Sequence, residues 1–438
     1  MKNLICKLGL FFIFFDNMYL PFDIGFDFKL IYIFMLLFIV YATSIIGRVN
    51  IKKEDLQILT FVLFFLMINL FVNISGIVLF MKQFIGISIA FIYSFLFIAV
   101  YKFDFKKIIE DYILVIKIAI IGGLLQFIFA KLGKHYLVDF SVLGFDLGNN
   151  EYKKYPFRVH SWFQEPSFLV YAITPILLIV ITRFFGLHRK VSFFISVLTI
   201  FVVFLSMSSI GFISILLSVG LFLISKYSFV KKPIFLVSIS IAVIIVSLFV
   251  YNLPKVKTRV DDTINILTSD QITTEQIDDL NFSSYALFSN FKVAMASFKE
   301  DPIFGCGLGN YELRYDELID EVLPPNKFIK YKIWLNRGEA NSFFFRFLTE
   351  TGLIGILFYF WFLYHYRIRF PKNYQDNKEL ILLWCFNNGL FILFILRLLR
   401  NGHYIHLGIE FMWIMYYLTS LQYKIKRREY QEKLSINT

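Results

Sequence analysis

The stretch Arg158-Val-His-Ser-Trp-Phe-Gln-Glu165-Pro166-Ser167 places a guanidinium, an imidazole and a carboxylate at the end of a loop that runs into a long apolar segment. Ionisable groups at such a mouth are costly to keep and point to function. An arginine pairs bidentately with phosphate oxygens and stays charged, so Arg158 suits phosphate contact, with His160 beside it as a second candidate substrate-binding residue. Glu165 is the first candidate for handling a proton. The plainer account is that Glu165-Pro166-Ser167 starts a helix and that Arg158 meets lipid headgroups.

A second polar region contains Pro302-Ile-Phe-Gly-Cys-Gly-Leu-Gly-Asn310, followed by Glu339-Ala-Asn-Ser342 and Thr351-Gly-Leu-Ile-Gly355. The two regions suggest one site built from two loops. Glycines 305, 307 and 309 lack the Lys-Ser/Thr and the strand-to-helix setting of a nucleotide loop, and they read as turn residues. Glu339 is the second candidate catalytic carboxylate, with Arg337 and Asn341 as candidate substrate contacts beside it. Arg346 and Glu350 stand four apart within an apolar helix, a spacing that suits either a self-neutralising pair or a functional one. Arg397, Arg400, His403, His406 and Glu410 lie at the outer ends of the last two apolar segments. Snorkelling accounts for the cations, whereas Glu410 needs a partner, which Arg397 or His406 could provide. His403 and His406 lack a third ligand nearby, so no metal site is expected.

The elements that must carry these residues are membrane helices. Of 438 residues, 58% are hydrophobic and 17% charged, too apolar for a soluble protein and too long for one anchor. Stretches such as 235–250 are apolar on every face, which excludes an alternating outer-membrane barrel. Apolar segments near 5–20, 28–47, 56–74, 83–101, 112–131, 167–185, 191–207, 209–225, 233–251, 341–364, 380–398 and 406–423 predict an all-α polytopic bundle of about twelve spans. The first runs into Asp16-Asn17 without a small-residue cleavage site, so it reads as a helix and not as a signal peptide. The net charge of +12 resides mostly in alternate short junctions, such as Lys102, Lys106, Lys107 and Lys424, Lys426, Arg427, Arg428. That is a topology signal, not a nucleic-acid footprint, and it puts both termini in the cytoplasm. Cys6, Cys306 and Cys385 have neither disulfide-framework nor zinc spacing.

On this topology residues 1–438 form one integral membrane domain with two external loops, 132–166 and 252–340. Leu287, Phe291, Ala294 and Phe298, widened by Phe288 and Met295, predict an interfacial helix near 284–299 that Asp301-Pro302 stops. Trp162, Phe163, Tyr311, Tyr315, Tyr331 and Trp334 in these loops are of the type that stacks on sugars or sits in an aromatic belt, and composition does not separate the two uses.

Three places resemble the bacterial O-antigen and capsule repeat-unit polymerases (Wzy-type), within the group that includes O-antigen ligases. They are Arg158 to Ser167, Ala294 to Tyr311 with its Phe-x-x-x-Pro-x-x-Gly-x-Gly-x-Gly-x-Tyr pattern, and Asn341 to Gly355. The resemblance implies a membrane glycosyltransferase of the bacterial cytoplasmic (inner) membrane that needs no cofactor. Its substrates would be undecaprenyl-diphosphate-linked oligosaccharides on the outer leaflet, and a chain-length regulator is a candidate partner. Arg158, Arg337, Arg346, Arg397 and Arg400 would then supply the diphosphate-binding cations. Ligase-like relatives carry a His where this chain has Ala340, and an arginine expected before the Pro-Gly pattern is replaced by the neighbourhood of Ser289, Asn290 and Lys292. The rival readings are a flippase for the same lipid-linked sugars and a ligase-type transferase with another acceptor.

Overall fold

The computed structural model describes residues 2–14, 16–23, 27–46, 53–72, 76–148, 151–153, 157–187, 189–227, 251–252, 257–258, 261–262, 273–371 and 377–436. Within them the chain is helical, apart from a short antiparallel hairpin of β1 (Tyr19–Asp23) and β2 (Asp27–Lys29). The helices are α1 (Lys2–Phe14), α2 (Leu30–Ile45), α3 (Lys53–Val72), α4 (Ile77–Val100), α5 (Phe105–Lys131), α6 (Pro166–Phe184), α7 (Phe193–Leu205) and α8 (Ser209–Tyr227). They continue with α9 (Thr274–Asp278), α10 (Phe282–Glu300), α11 (Tyr311–Val322), α12 (Lys327–Lys330), α13 (Phe343–Tyr366), α14 (Lys378–Leu399) and α15 (Ile409–Ile436).

Six of these, α4, α5, α6, α8, α13 and α14, are long and apolar enough to cross a membrane, and Leu30–Ile45, Leu56–Phe71 and Phe193–Leu205 are shorter apolar helices. The chain is a multi-pass membrane protein. The expected span at 233–251 lies almost entirely outside the described residues. The first apolar stretch differs from expectation: α1 stops at Phe14, and Asp16 and Asn17 turn the chain into the hairpin.

Polar caps start the helices where the sequence supplies them. Asp104, Ser192, Asn281, Ser342 and Asn377 each accept a backbone N–H in the first turn of α5, α7, α10, α13 and α14. The centre of the bundle is the α6–α14 pair, whose apolar windows are 89% and 83% buried. A Cβ on Gly389 of α14 would lie 2.2 Å from the carbonyl oxygen of Pro175 in α6, so a glycine is required at this crossing. By contrast α5 leaves Leu114, Ile118, Ile121, Leu125 and Ile128 exposed at helical spacing, a stripe for lipid.

α13 breaks at Gly352 (φ 61°, ψ −159°), which frees backbone groups in apolar surroundings. The glycine run satisfies them. Cys306 N donates to Thr349 O (2.8 Å), Gly307 N to Glu350 O (3.2 Å), and Leu353 N to Pro302 O (2.9 Å). Asn69 of α3 clamps the same loop, donating to Phe304 O (2.8 Å) and Glu350 O (3.0 Å) and accepting Leu308 N (2.8 Å). Glycines 305, 307 and 309 all have positive φ, in line with the turn reading.

The expected helix near 284–299 is α10, ending where Asp301 caps it. Its buried face includes Phe288 and Ala294 of the apolar stripe read from the sequence but is not that stripe alone. Phe291 is exposed, whereas Ser289, Asn290 and Ser297 are fully buried, and hydrogen bonds offset the burial of Asn290, whose Nδ2 donates to Ala286 O (2.6 Å) and Leu335 O (3.1 Å). Residues 273–340 also build a small core of their own around Tyr285, Phe328, Tyr311 and Tyr315. Of the six loop aromatics considered for sugar stacking, Trp162, Phe163, Tyr311 and Tyr315 are buried, and Tyr331 is well exposed.

Candidate active site

The 336–342 turn and the 400–408 turn meet over the starts of α6 and α13 and the end of α14. Asn336, Ala340, Asn341, Asn401, Leu407 and Gly408 all have positive φ, a cost that persists only where the surroundings dictate the path. Asn341 O accepts Asn401 N (2.8 Å), and Ser342 Oγ donates to Leu398 O (2.6 Å). A Cβ on Gly402 would fall 1.7 Å from Glu339 O, so the two backbones touch there.

Glu339 Oε2 accepts Gly402 N (3.1 Å) and lies 3.1 Å from His403 Nε2. The His403 side chain is 46% exposed and that of Glu339 18%. A carboxylate fixed by a backbone amide and facing an accessible imidazole is a proton-accepting arrangement. Arg397 is buried and donates to Asn401 Oδ1 (3.0 Å) and to the carbonyl of His403, so it holds the same turn from below. Arg400, next in the turn, is half-buried, and among the described residues its guanidinium has no hydrogen bond or ion pair.

α6 brings Glu165 to this place. Tyr171 Oη donates to Arg400 O (3.0 Å), and the charges of Arg400, Arg397, Glu339 and Glu165 all act on that phenol. Phe168, one turn into α6, meets the His406 ring edge-on at 4.4 Å. Glu165 is the N-cap position of α6, but its side chain accepts no backbone N–H. It is exposed and accepts the Ser167 hydroxyl (2.9 Å), so α6 does start at Pro166 with the acid at its N-terminus, as the plainer account expects, but without a side-chain cap on the helix amides.

The other predicted residues lie apart from this mouth or are spent on internal contacts. Arg158 is buried, its Nε donating to Ser206 O (3.3 Å) in the α7–α8 turn. His160 is fully buried, with its backbone N–H on Gln126 Oε1 (3.1 Å) of α5 and its ring against Phe163 O and Tyr152. Arg337 pairs with Asp316 (2.5 Å) and Glu312 (3.2 Å) of α11. Asn341 accepts Asn336 Nδ2 (2.8 Å). Arg346 is wholly engaged: Nε to Glu350 Oε1 (3.0 Å), one terminal nitrogen to Gly402 O (3.2 Å) and the other to Gln83 Oε1 (3.1 Å), with Tyr404 stacked on the guanidinium at 4.5 Å. Glu350, fully buried, also accepts Tyr404 Oη (2.8 Å) and Tyr311 N (3.3 Å). The pair therefore neutralises itself and locks α4, α13 and the 400–408 turn together.

Sequence reasoning missed Tyr171, Tyr404, Gln83, Asn401 and Asp16. The available signal was polarity within or beside apolar segments. It also expected His406 or Arg397 to partner Glu410. His406 Nε2 instead faces Asp16 Oδ1 (3.5 Å), and Glu410 Oε2 is buried without a hydrogen-bond partner among the described residues.

Residues 194–360 match the Wzy_C family, described as O-antigen ligase. The chain thus carries an O-antigen ligase family domain over α7 to most of α13, which includes Arg337, Glu339, Asn341, Arg346 and Glu350 and leaves Glu165, Arg400 and His403 outside the match. No curated protein matches the chain.

Proposed function

We propose that this chain, built around its O-antigen ligase family domain, is a glycosyltransferase of the bacterial cytoplasmic (inner) membrane. It polymerises undecaprenyl-diphosphate-linked oligosaccharide repeat units into surface polysaccharide, O-antigen or capsule. The observation that carries this reading is the Glu339–His403 pair at one end of an apolar bundle, in the same turn as Arg400, whose guanidinium has no hydrogen bond or ion pair among the described residues. The sugar–diphosphate bond stores the driving energy, so no nucleotide or other cofactor is required. The acceptor hydroxyl of a new lipid-linked unit attacks the anomeric carbon of the growing glycan, the bond to the diphosphate oxygen breaks, and undecaprenyl diphosphate leaves.

In this reaction Glu339 and His403 take the hydroxyl proton, and Glu165 orients the acceptor from the start of α6. Arg400 grips the diphosphate, and buried Arg397 adds positive potential behind it. Arg158 remains a candidate for a second phosphate contact. His160, Arg337, Asn341 and Arg346 act one step removed, by shaping the loops. About twelve spans, loops 132–166 and 252–340 outside and both termini inside complete the reading. A chain-length regulator is a further candidate partner.

The description of the matched family, O-antigen ligase, favours one second reading: transfer of a finished glycan to a different acceptor. A deletion strain separates the two. Loss of a polymerase leaves surface glycan as single repeat units, whereas loss of a ligase leaves long polymer on the lipid carrier. Units trapped in the inner leaflet would instead indicate a flippase and overturn both.

A further inference from the structure

Asp16 is nearly fully buried, at the turn after α1 and far in sequence from every site residue. Its carboxylate accepts Leu407 N (3.2 Å), faces His406 Nε2 (3.5 Å) and lies 3.7 Å from Lys29 Nζ. The opposite nitrogen of His406, Nδ1, lies 3.4 Å from Asn401 Nδ2, and Asn401 Oδ1 accepts both Arg397 and the His403 backbone N–H (3.3 Å). Glu410 is the other buried acid nearby, and Arg397 and Lys29 are the cations whose charges reach it. A Cβ on Gly408 would strike Ile13 of α1 at 1.7 Å, so the end of α1 is packed directly against the turn.

The turn therefore has a polar spine, Asp16 to His406 to Asn401, that ends on the residue carrying the exposed imidazole. A surface turn with three left-handed residues, Asn401, Leu407 and Gly408, would relax without such support. An apolar contact from Phe168 could hold its distance from α6 but not its rotation, because ring packing has no directional partner. Hydrogen bonds do.

We propose that Asp16 is a positioning residue, which acts through His406 and Asn401 to hold His403 against Glu339. It rests on the glycan-transfer reading above, and it assigns a role to the α1–β1 junction, which lies outside the matched family domain.

The test uses the full-length protein in membranes and a purified lipid-linked repeat unit, with kcat, KM and membrane level measured for Asp16→Asn and His406→Gln. Asp16→Asn keeps the shape and an acceptor for Leu407 while removing the charge. The expected result is a fall in kcat of about tenfold to 10²-fold at unchanged membrane level, the scale of a small misplacement of a reacting group, with a smaller change in KM. In a His403→Ala background, Asp16→Asn should cost nothing further, since it acts through that imidazole. Normal kcat in both single variants, costs that multiply with His403→Ala, or activity that falls only in step with protein level would each overturn the positioning role. A wild type that transfers no glycan would remove the functional reading as well.

Discussion

Nε2 of His403 lies 3.1 Å from Oε2 of Glu339, and the same oxygen accepts the N–H of Gly402, the residue before the histidine. One carboxylate oxygen thus holds both the backbone and the ring of the 400–408 turn, with the rest of the imidazole partly exposed. Glu165 approaches from α6, where it accepts a serine hydroxyl and no helix amide.

The two carboxylates should respond differently to isosteric replacement. Glu339→Gln and His403→Ala are expected to cut polymerisation of purified lipid-linked units by about 10²-fold or more, the usual cost of losing a general base. Glu165→Gln, which keeps a hydrogen-bonding side chain at the mouth, should cost less and act mainly on KM for the acceptor unit. Near-normal turnover in Glu339→Gln together with an inactive Glu165→Gln would transfer the base role to Glu165.

Among the described residues the Arg400 guanidinium has no hydrogen bond or ion pair, so its chemistry should show as geometry as well as charge. Arg400→Lys keeps the charge but loses the fork, and a diphosphate clamp should then lose most of its activity in Lys and nearly all in Ala. Arg158, turned toward Ser206, should tolerate Lys better. Polymer length at matched membrane level measures both, and long polymer from well-expressed Arg400→Ala would end its assignment.

The Arg346–Glu350 pair makes a prediction about stability. Glu350→Gln leaves a buried guanidinium uncompensated, a change expected to cost about 3–5 kcal/mol. The measured signs would be low membrane levels and early thermal unfolding in detergent, at a site where neither residue needs to touch substrate. A Glu350→Gln protein with full stability and no activity would instead make the pair part of the chemistry.

Topology can be read with thiol chemistry, but not at the native cysteine. Cys306 is buried beneath the α13 break, and burial, with the Glu350 carboxylate adding to it, pushes its thiol up and away from the reactive thiolate. Glu321→Cys, on the exposed face of α11, should label in intact cells with an impermeant reagent, while Cys306 stays silent. Labelling of the Glu321→Cys variant only after permeabilisation would reverse the assignment of 252–340 to the outside.

Composition and hydropathy were sufficient for the class of this protein, because burying backbone in lipid leaves helices as the workable element for these apolar runs. The Pro166 start of α6, the stop of α10 at Asp301 and the turn role of glycines 305, 307 and 309 were equally local, since φ restrictions and missing donors act within a few residues. The self-neutralising pairing of Arg346 with Glu350 was a matter of one helical turn.

Pairings between distant segments were not legible. The sequence pointed to the 158–167 stretch as one functional unit, yet its two ends diverge: Arg158 turns to the α7–α8 junction, and Glu165 heads α6, whose Tyr171 reaches Arg400 O. Nothing local distinguishes those fates, because they depend on where α6 crosses α14 at Gly389. The buried polar positions of α10 were missed for a related reason. A side chain such as Asn290 can be buried when Leu335 O and Tyr311 meet it, and those partners come from elsewhere in the chain. What the sequence determined alone was therefore the membrane-helical class and the set of ionisable residues kept at its ends. Which of them form a site was decided by tertiary structure, where Asp16, Asn401 and the 339–341 backbone bring His403 to Glu339, because hydrogen bonds between remote segments exist only after the helices that carry them have packed.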